Sequence, residues 1–164
     1  MSTVRKLIVY ESKISNKGIF ADEDFNMGDV VMIWSYDYFL INEDEYTKEQ
    51  QSGNKNMIRT GARYVDKYFL YTENGKARIE DNMNHSDNYN ILYHCGICFA
   101  TRDIKKGEEL FVNYRYVLSK NDNAGFIDNT TGKYIDGTDG FTCLCETTKL
   151  LNELLNKVKI KSIT

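Results

Sequence analysis

The chain has 164 residues, 41% of them apolar, with a net charge of −3 and a pI near 5.5. That length favours one domain with a real core, and the apolar share is too high for a disordered chain at so modest a charge. The acidic balance argues against a coat for nucleic acid, and no apolar run approaches the roughly 20 residues of a membrane span.

In chain order, Val4 to Tyr10 reads as a first strand. Ser15 to Gly18 reads as a turn into Ile19-Phe20-Ala21, and Phe25 to Asp29 as a second turn. Val30 to Trp34 is apolar and β-branched, which predicts a buried strand and, with its predecessors, a meander. Asn42 and Glu45 have the spacing of a capping box, so a short helix is predicted from Asn42 to Gln51, with a loop from Ser52 to Asn56. Ala62 to Tyr71 is aromatic and strand-like, and Asn74-Gly75 suits a tight hairpin turn.

The stretch from Asn84 to Tyr116 is the most informative. A polar Asn84-His85-Ser86 turn precedes a run in which Ile91, Tyr93, Cys95, Ile97 and Phe99 alternate with other residues, the period of a strand. Lys105 to Glu108 supplies a turn with Gly107 free to take positive φ. Leu110, Val112 and Tyr114 then share a face. The expectation is two strands from Asn90 to Tyr116 joined at Gly107. Beyond them, Ser119 to Gly140 is rich in Asn, Asp, Gly and Thr and reads as a long, mobile or loosely ordered loop. Leu150, Leu151, Leu154, Leu155 and Val158 fall on one stripe of a helix predicted over 147–160. Docking of that helix on the domain is favoured over a dimer seam, so the chain is expected as a monomer, with a homodimer through this helix as the alternative.

The order of these pieces adds a second line of reasoning. Gly18-Ile19-Phe20-Ala21, the turn at Asn26 to Val30, Asn84-His85-Ser86-Asp87-Asn88 with Asn90, then Ala100-Thr101-Arg102-Asp103-Ile104 leading to Gly107-Glu108-Glu109-Leu110 and Tyr114 form a series. It resembles the SET domain family of protein lysine methyltransferases, in particular small stand-alone members without flanking zinc modules. The resemblance implies a mainly β, β-clip-like fold of small curved sheets with a pseudoknot, a short inserted helix and a C-terminal helix. It divides the chain into a core at 1–116, with an insert at about 35–62, and a post-SET-like tail at 117–164 of the same domain.

The same resemblance implies S-adenosylmethionine as cofactor, with S-adenosylhomocysteine as product. Lys17, Gly18, Ile19 and Phe20 would hold the cofactor through their backbone, and Asn84 and His85 would hold it from the knot. Tyr114 matches the catalytic tyrosine, while Val112 and Tyr116 match positions of a lysine channel. Phe141, on a folded-over tail, would pack on the adenine. The family's Gly-x-Gly loop appears here as Asn16-Lys17-Gly18, and Asn tolerates positive φ better than other non-glycine residues. Methyl transfer to an amine needs alignment and a neutral lysine, which a dry aromatic channel beside a sulfonium favours.

No long apolar signal segment opens the chain, so an intracellular protein is expected, cytoplasmic or nuclear, with its 4 cysteines as thiols. Cys143 and Cys145 are too few for a closed zinc site, and Cys95 and Cys98, three apart on a strand, face opposite sides. No metal is expected. The partner is a lysine-bearing protein or peptide, a histone among the candidates, with neither nucleic acid nor membrane. The reading is a protein-lysine N-methyltransferase; the alternative is a SET-fold module that binds peptides with weak or absent turnover.

Overall fold

The computed structural model describes residues 6–33, 40–53, 57–64, 67–72, 79–118, 120 and 125–161. The strands are β1 (Leu7–Tyr10), β2 (Gly18–Ala21), β3 (Val30–Ile33) and β4 (Leu40–Asn42), followed by helix α1 (Glu43–Gln51). Then come β5 (Met57–Tyr64), β6 (Lys67–Thr72), a 3-10 turn (Ile79–Asn82), β7 (Asn84–His85), β8 (Ile91–His94), β9 (Ile97–Ala100) and β10 (Glu109–Val112). A second 3-10 turn (Tyr114–Tyr116) and helix α2 (Gly140–Lys161) complete the order.

Among the described residues three small sheets result: β1-β2-β10-β7, β3-β9-β8 and β4-β6-β5. Period-two patterning sets their faces. Ile19 and Ala21 on β2, Cys98 and Ala100 on β9, and Leu110 and Val112 on β10 are each 1% exposed or less and meet in one core. On β8 the residues Ile91, Leu92 and Tyr93 are all buried, because the strand has the core on one face and α2 on the other. Loops close the core's rim, where Phe25 and Ile104, both 1% exposed or less, exchange backbone hydrogen bonds of 2.9 Å.

The capping box at α1 forms as its spacing predicts. The Asn42 amide donates to Glu45 Oε2 at 2.8 Å, and the Glu45 amide donates to Asn42 Oδ1 at 2.9 Å.

Other expectations change. The alternating run is not one strand: it reverses at Cys95-Gly96, with φ of 47° and 86°, into the hairpin β8–β9. Gly107 does turn the chain with φ of 89°, but β10 pairs with β2 and β7, not with the run before it. Tyr114 lies past the end of β10, in a 3-10 turn capped by Asn113, whose side chain accepts from the Arg115 amide at 3.0 Å. No meander links β2 to β3, which belong to different sheets, and β3 is only half covered, with Val30 at 40% and Ile33 at 64% exposure. The predicted strand at Ala62 to Tyr71 is two strands, β5 and β6, paired antiparallel. The Asn74-Gly75 turn and Trp34 lie outside the described residues.

Helix α2 starts at Gly140, seven residues ahead of the predicted start at 147, capped by Asp139 Oδ1, which accepts from the Thr142 amide at 2.9 Å. Its buried residues are Cys143, Thr147 and Leu154, whereas Leu155 is 46% exposed. The segment ahead of it is also more ordered than its composition predicts. Ile127 and Tyr134 form an antiparallel bridge, and the Ile135 amide donates to the Phe126 carbonyl at 3.0 Å. Among the described residues no helix is long and apolar enough to cross a membrane.

Candidate functional site

The site grows from β10, which runs between β2 and β7. Parallel pairing sets Phe111 beside Asn84 and Val112 beside His85, and the Ser86 amide adds a bond of 3.1 Å to the Val112 carbonyl. A buried amide secures the turn that follows. Asn90, 1% exposed, donates to the Glu109 carbonyl and accepts from the Phe111 amide, each at 2.8 Å. Asn84 ties in β2 by donating to the Lys17 carbonyl and to Glu109 Oε1, both at 2.8 Å.

Past β10 the chain delivers Tyr114 to the same place. Its amide donates to His85 Nδ1 at 3.1 Å, and its ring lies 5.3 Å from the imidazole, centroid to centroid. Its hydroxyl donates to the Met83 carbonyl at 2.6 Å. Burial pushes the phenol up to about 12, so it stays protonated at neutral pH.

Burial also lowers the His85 pKa, with Asp87 opposing and the Arg115 guanidinium assisting, so the ring is neutral near pH 7. Because Nδ1 accepts the Tyr114 proton, the ring's own proton sits on Nε2. That nitrogen faces Asp128 Oδ2 at 3.3 Å and Asp87 Oδ1 at 3.7 Å, yet it makes no well-directed hydrogen bond among the described residues. Asp128, 4% exposed, accepts from the Thr131 hydroxyl at 2.8 Å and from the Thr130 and Thr131 amides, and these bonds hold its carboxyl below the usual range. His85, Asp87 and Asp128 offer ligand atoms within 4.8 Å of one another. The donor chemistry does not suit a metal there, since Nε2 would have to lose a proton while Nδ1 still accepted one, and Arg115 already pairs with Asp87.

Asn84, His85 and Tyr114 open together onto a cleft of about 260 Å³. Ile14, Ser15 and Asp81 also line it, as do Phe126, Ile127, Asn129 and Ile135 from the segment ahead of α2. Phe126 meets Tyr114 edge to face at 4.9 Å. A lining that mixes aromatic and aliphatic side chains with amides and an acid fits an amphipathic, partly cationic ligand.

The SET domain profile matches residues 16–115, more than half of the chain. The chain belongs to the SET domain family. Among solved structures, a humanized mutant of the Chaetomium thermophilum Polycomb Repressive Complex 2 bound to an inhibitor superposes with a TM-score of 0.52 at 21% identity, over 70% of this chain and 15% of that one. The complex captured with two forms of histone H3 gives 0.51 at 22%, over 83% and 17%. Such likeness carries the mainly β SET fold, and this SET chain spans only a small part of the length of those chains. Curated protein sequences give no match.

The SET-motif residues therefore divide. Asn84, His85 and Tyr114 converge. Lys17 reaches them through its carbonyl, while Ile19 and Phe20 are paired on both sides by β1 and β10, so that Ile14 and Ser15, just before, stand on the cleft. Val112, 1% exposed, lies in the core, and the Tyr116 carbonyl accepts from Cys143 Sγ at the start of α2. Phe141, expected on a folded-over tail, is 64% exposed on the first turn of α2 and does not line the cleft. Residues outside the motif that the structure adds are Asp81, Phe126, Asp128 and Ile135, while Asn90, which the motif includes, is seen to hold β10. The signal for Phe126 and Ile135 was their apolarity inside an otherwise polar loop.

Proposed function

We propose that this chain is a protein-lysine N-methyltransferase that uses S-adenosylmethionine. The observation that carries the reading is the convergence of Asn84, His85 and Tyr114 on one amphipathic cleft. When bound, S-adenosylmethionine supplies an electrophilic methyl on a sulfonium, which an amine takes by in-line displacement.

The chain's residues divide that task. Both amide hydrogens of Asn84 are committed to Lys17 and Glu109, so it presents its oxygen, an acceptor suited to the cofactor's ammonium. Asp81 adds a negative charge to the same cleft. Phe126, with Ile127 and Ile135, supplies an apolar surface for the adenine, the role that the motif assigned to Phe141. Lys17 and Gly18 shape the loop against Asn84, with Ile19 and Phe20 as its strand support. Val112 and Tyr116 remain the proposed lysine side.

Tyr114 serves as an orienting group. A phenol pushed up to about 12 is a poor base at neutral pH, but it donates to Met83 and keeps oxygen lone pairs for the incoming amine. The attacking lysine, with a free pKa of about 10.4, loses its proton more readily in a dry site beside a positive charge. Histone H3 is the first substrate to try, since a solved structure of similar fold holds it.

The test is mass spectrometry of histones and lysate incubated with isotope-labelled cofactor. Labelled lysine with the wild-type chain, and its loss with Tyr114→Phe, supports the reading. Calorimetric binding of peptide with no transfer by either protein moves the assignment to a peptide-binding module.

A further inference from the structure

The segment ahead of α2 that lines the cleft is fastened at two points. Asn129 Nδ2 donates to the Ile14 carbonyl at 2.8 Å, and Asp128 sets Oδ2 3.3 Å from His85 Nε2. Asp128 has little freedom, because its Oδ1 already accepts from Thr130 and Thr131, which leaves Oδ2 turned to the imidazole. Asp87 also faces Nε2, but its side chain is 56% exposed and is paired with Arg115. Among the described residues, the negative charge at this nitrogen without a cationic partner is therefore that of Asp128.

The two neutral forms of His85 are not equivalent in this frame. With the proton on Nε2, the N–H lies beside the carboxylate charge, 3.3 Å from nitrogen to oxygen though not aimed along that line, and the Nδ1 lone pair faces the Tyr114 amide. With the proton on Nδ1, two N–H groups confront each other and a lone pair confronts a carboxylate. A neighbouring acid thus selects a tautomer without itself changing protonation.

We infer that Asp128 is a positioning residue: it holds His85 in the Nε2–H form and, through Nδ1, fixes the backbone of Tyr114, so that the phenol is in place only when the 125–135 segment is seated. The inference rests on Tyr114 being the group that meets the substrate amine. Asp128 acts through His85 and needs no contact with either reactant.

Imidazole ¹⁵N NMR of the full chain, with the Tyr114 amide resonance as a second probe, tests it beside steady-state kinetics. The wild-type protein is expected to show His85 protonated on Nε2. Asp128→Asn keeps an oxygen for the threonine bonds but turns an NH₂ toward Nε2, so it is expected to populate Nδ1–H and shift the Tyr114 amide. Its kcat is expected to fall about tenfold to a hundredfold, the scale of a small misplacement at a reacting centre, with the KM for cofactor moving less. Asp87→Asn is expected to leave the tautomer as it is. A wild-type ring protonated on Nδ1 overturns the inference whether or not the variants fold. So does an Asp128→Asn protein with an unchanged ring, or a tautomer that follows Asp87 instead. If no protein transfers methyl groups, the functional reading fails, while the tautomer result still decides the role of Asp128.

Discussion

Glu109 stands over Gly18, so that a Cβ there would lie 2.1 Å from Oε1 and must displace the end of that side chain. The same carboxylate oxygen accepts from Asn84, so strands β2, β10 and β7 meet at one point. Gly18→Ala is expected to push Glu109 off Asn84 and to cost about 1–3 kcal/mol, the range for overpacking. Urea denaturation measures it. Because the clash and the hydrogen bond share an atom, Gly18→Ala combined with Glu109→Ala should be scarcely less stable than Glu109→Ala alone. Simple additivity of the two effects would remove Glu109 from this account.

Asn90 plays a different part, as a side chain replacing backbone partners along β10. Asn90→Ala leaves the Glu109 carbonyl and the Phe111 amide without the bonds it now gives them. Each orphaned buried group costs about 1–3 kcal/mol. A urea midpoint close to wild type would mean that water enters and takes over both bonds.

What could be read in advance followed from how local each feature is. The α1 capping box spans four residues and its acceptor and donor are both in the sequence, so it was legible. The Asn84-His85 pair, expected as a turn and found as strand β7, and Tyr114 were legible only as a family motif, since their meeting depends on β10 lying between β2 and β7. Strand pairing was misjudged for the same reason: alternation reports faces and says nothing of partners. The Cys95-Gly96 reversal does not interrupt that alternation, and only the glycine marks it. The apolar lining of the cleft was hidden by composition, because Phe126, Ile127 and Ile135 sit among Asn, Asp, Gly and Thr. Helix α2 buries a stripe of Cys143, Thr147 and Leu154, two of which carry little apolar signal, so its first turns were missed.

Tyr114→Phe separates chemistry from stability. Loss of the hydroxyl removes the bond to Met83, worth about 1 kcal/mol, while activity is expected to fall much further. The raised pKa carries its own signature. With the folded value near 12 against an ordinary 10.0, the unfolded chain loses this proton first as pH rises. The contribution of Tyr114 is therefore fully present below pH 10 and is lost as pH climbs toward 12. Phenolate absorbance on alkaline titration should show a tyrosine titrating at about 12 that is absent in the Tyr114→Phe protein, alongside Tyr89 and Tyr116, whose phenols burial also raises.

On the acid side His85 sets the first step. Its folded pKa lies below the model-compound value of 6.5, so between the two the unfolded chain binds more protons and stability rises with pH. As pH falls below 6.5 the protein is expected to weaken, with half-buried His94 acting in the same direction. Asp128, whose carboxyl is held low by the Thr131 hydroxyl and neighbouring amides, adds a further loss below 3.8. Urea midpoints from about pH 7 to about pH 5 should decline, and His85→Gln should flatten part of that slope. An unchanged slope in the variant would place the titration at His94 alone.

The contact between Gly28 and α2 is the firmest test of how the helix is docked. Gly28 holds φ at 90°, and a Cβ on it would lie 2.4 Å from Val158 Cγ2. The neighbouring Met27 amide donates to Asp103 Oδ1, and Asp103 also pairs with Lys161 at 2.8 Å, so the end of the helix is held by this loop from two sides. Gly28→Ala meets two separate penalties, the left-handed backbone at roughly 1–2 kcal/mol and the clash with a β-branched side chain that has few rotamers to escape into. Val158→Ala in the same molecule relieves only the clash. Urea denaturation should therefore show the double variant less stable than Val158→Ala alone, by an amount smaller than Gly28→Ala costs the wild type. Equal costs in the two backgrounds would mean that α2 does not press on this turn in solution.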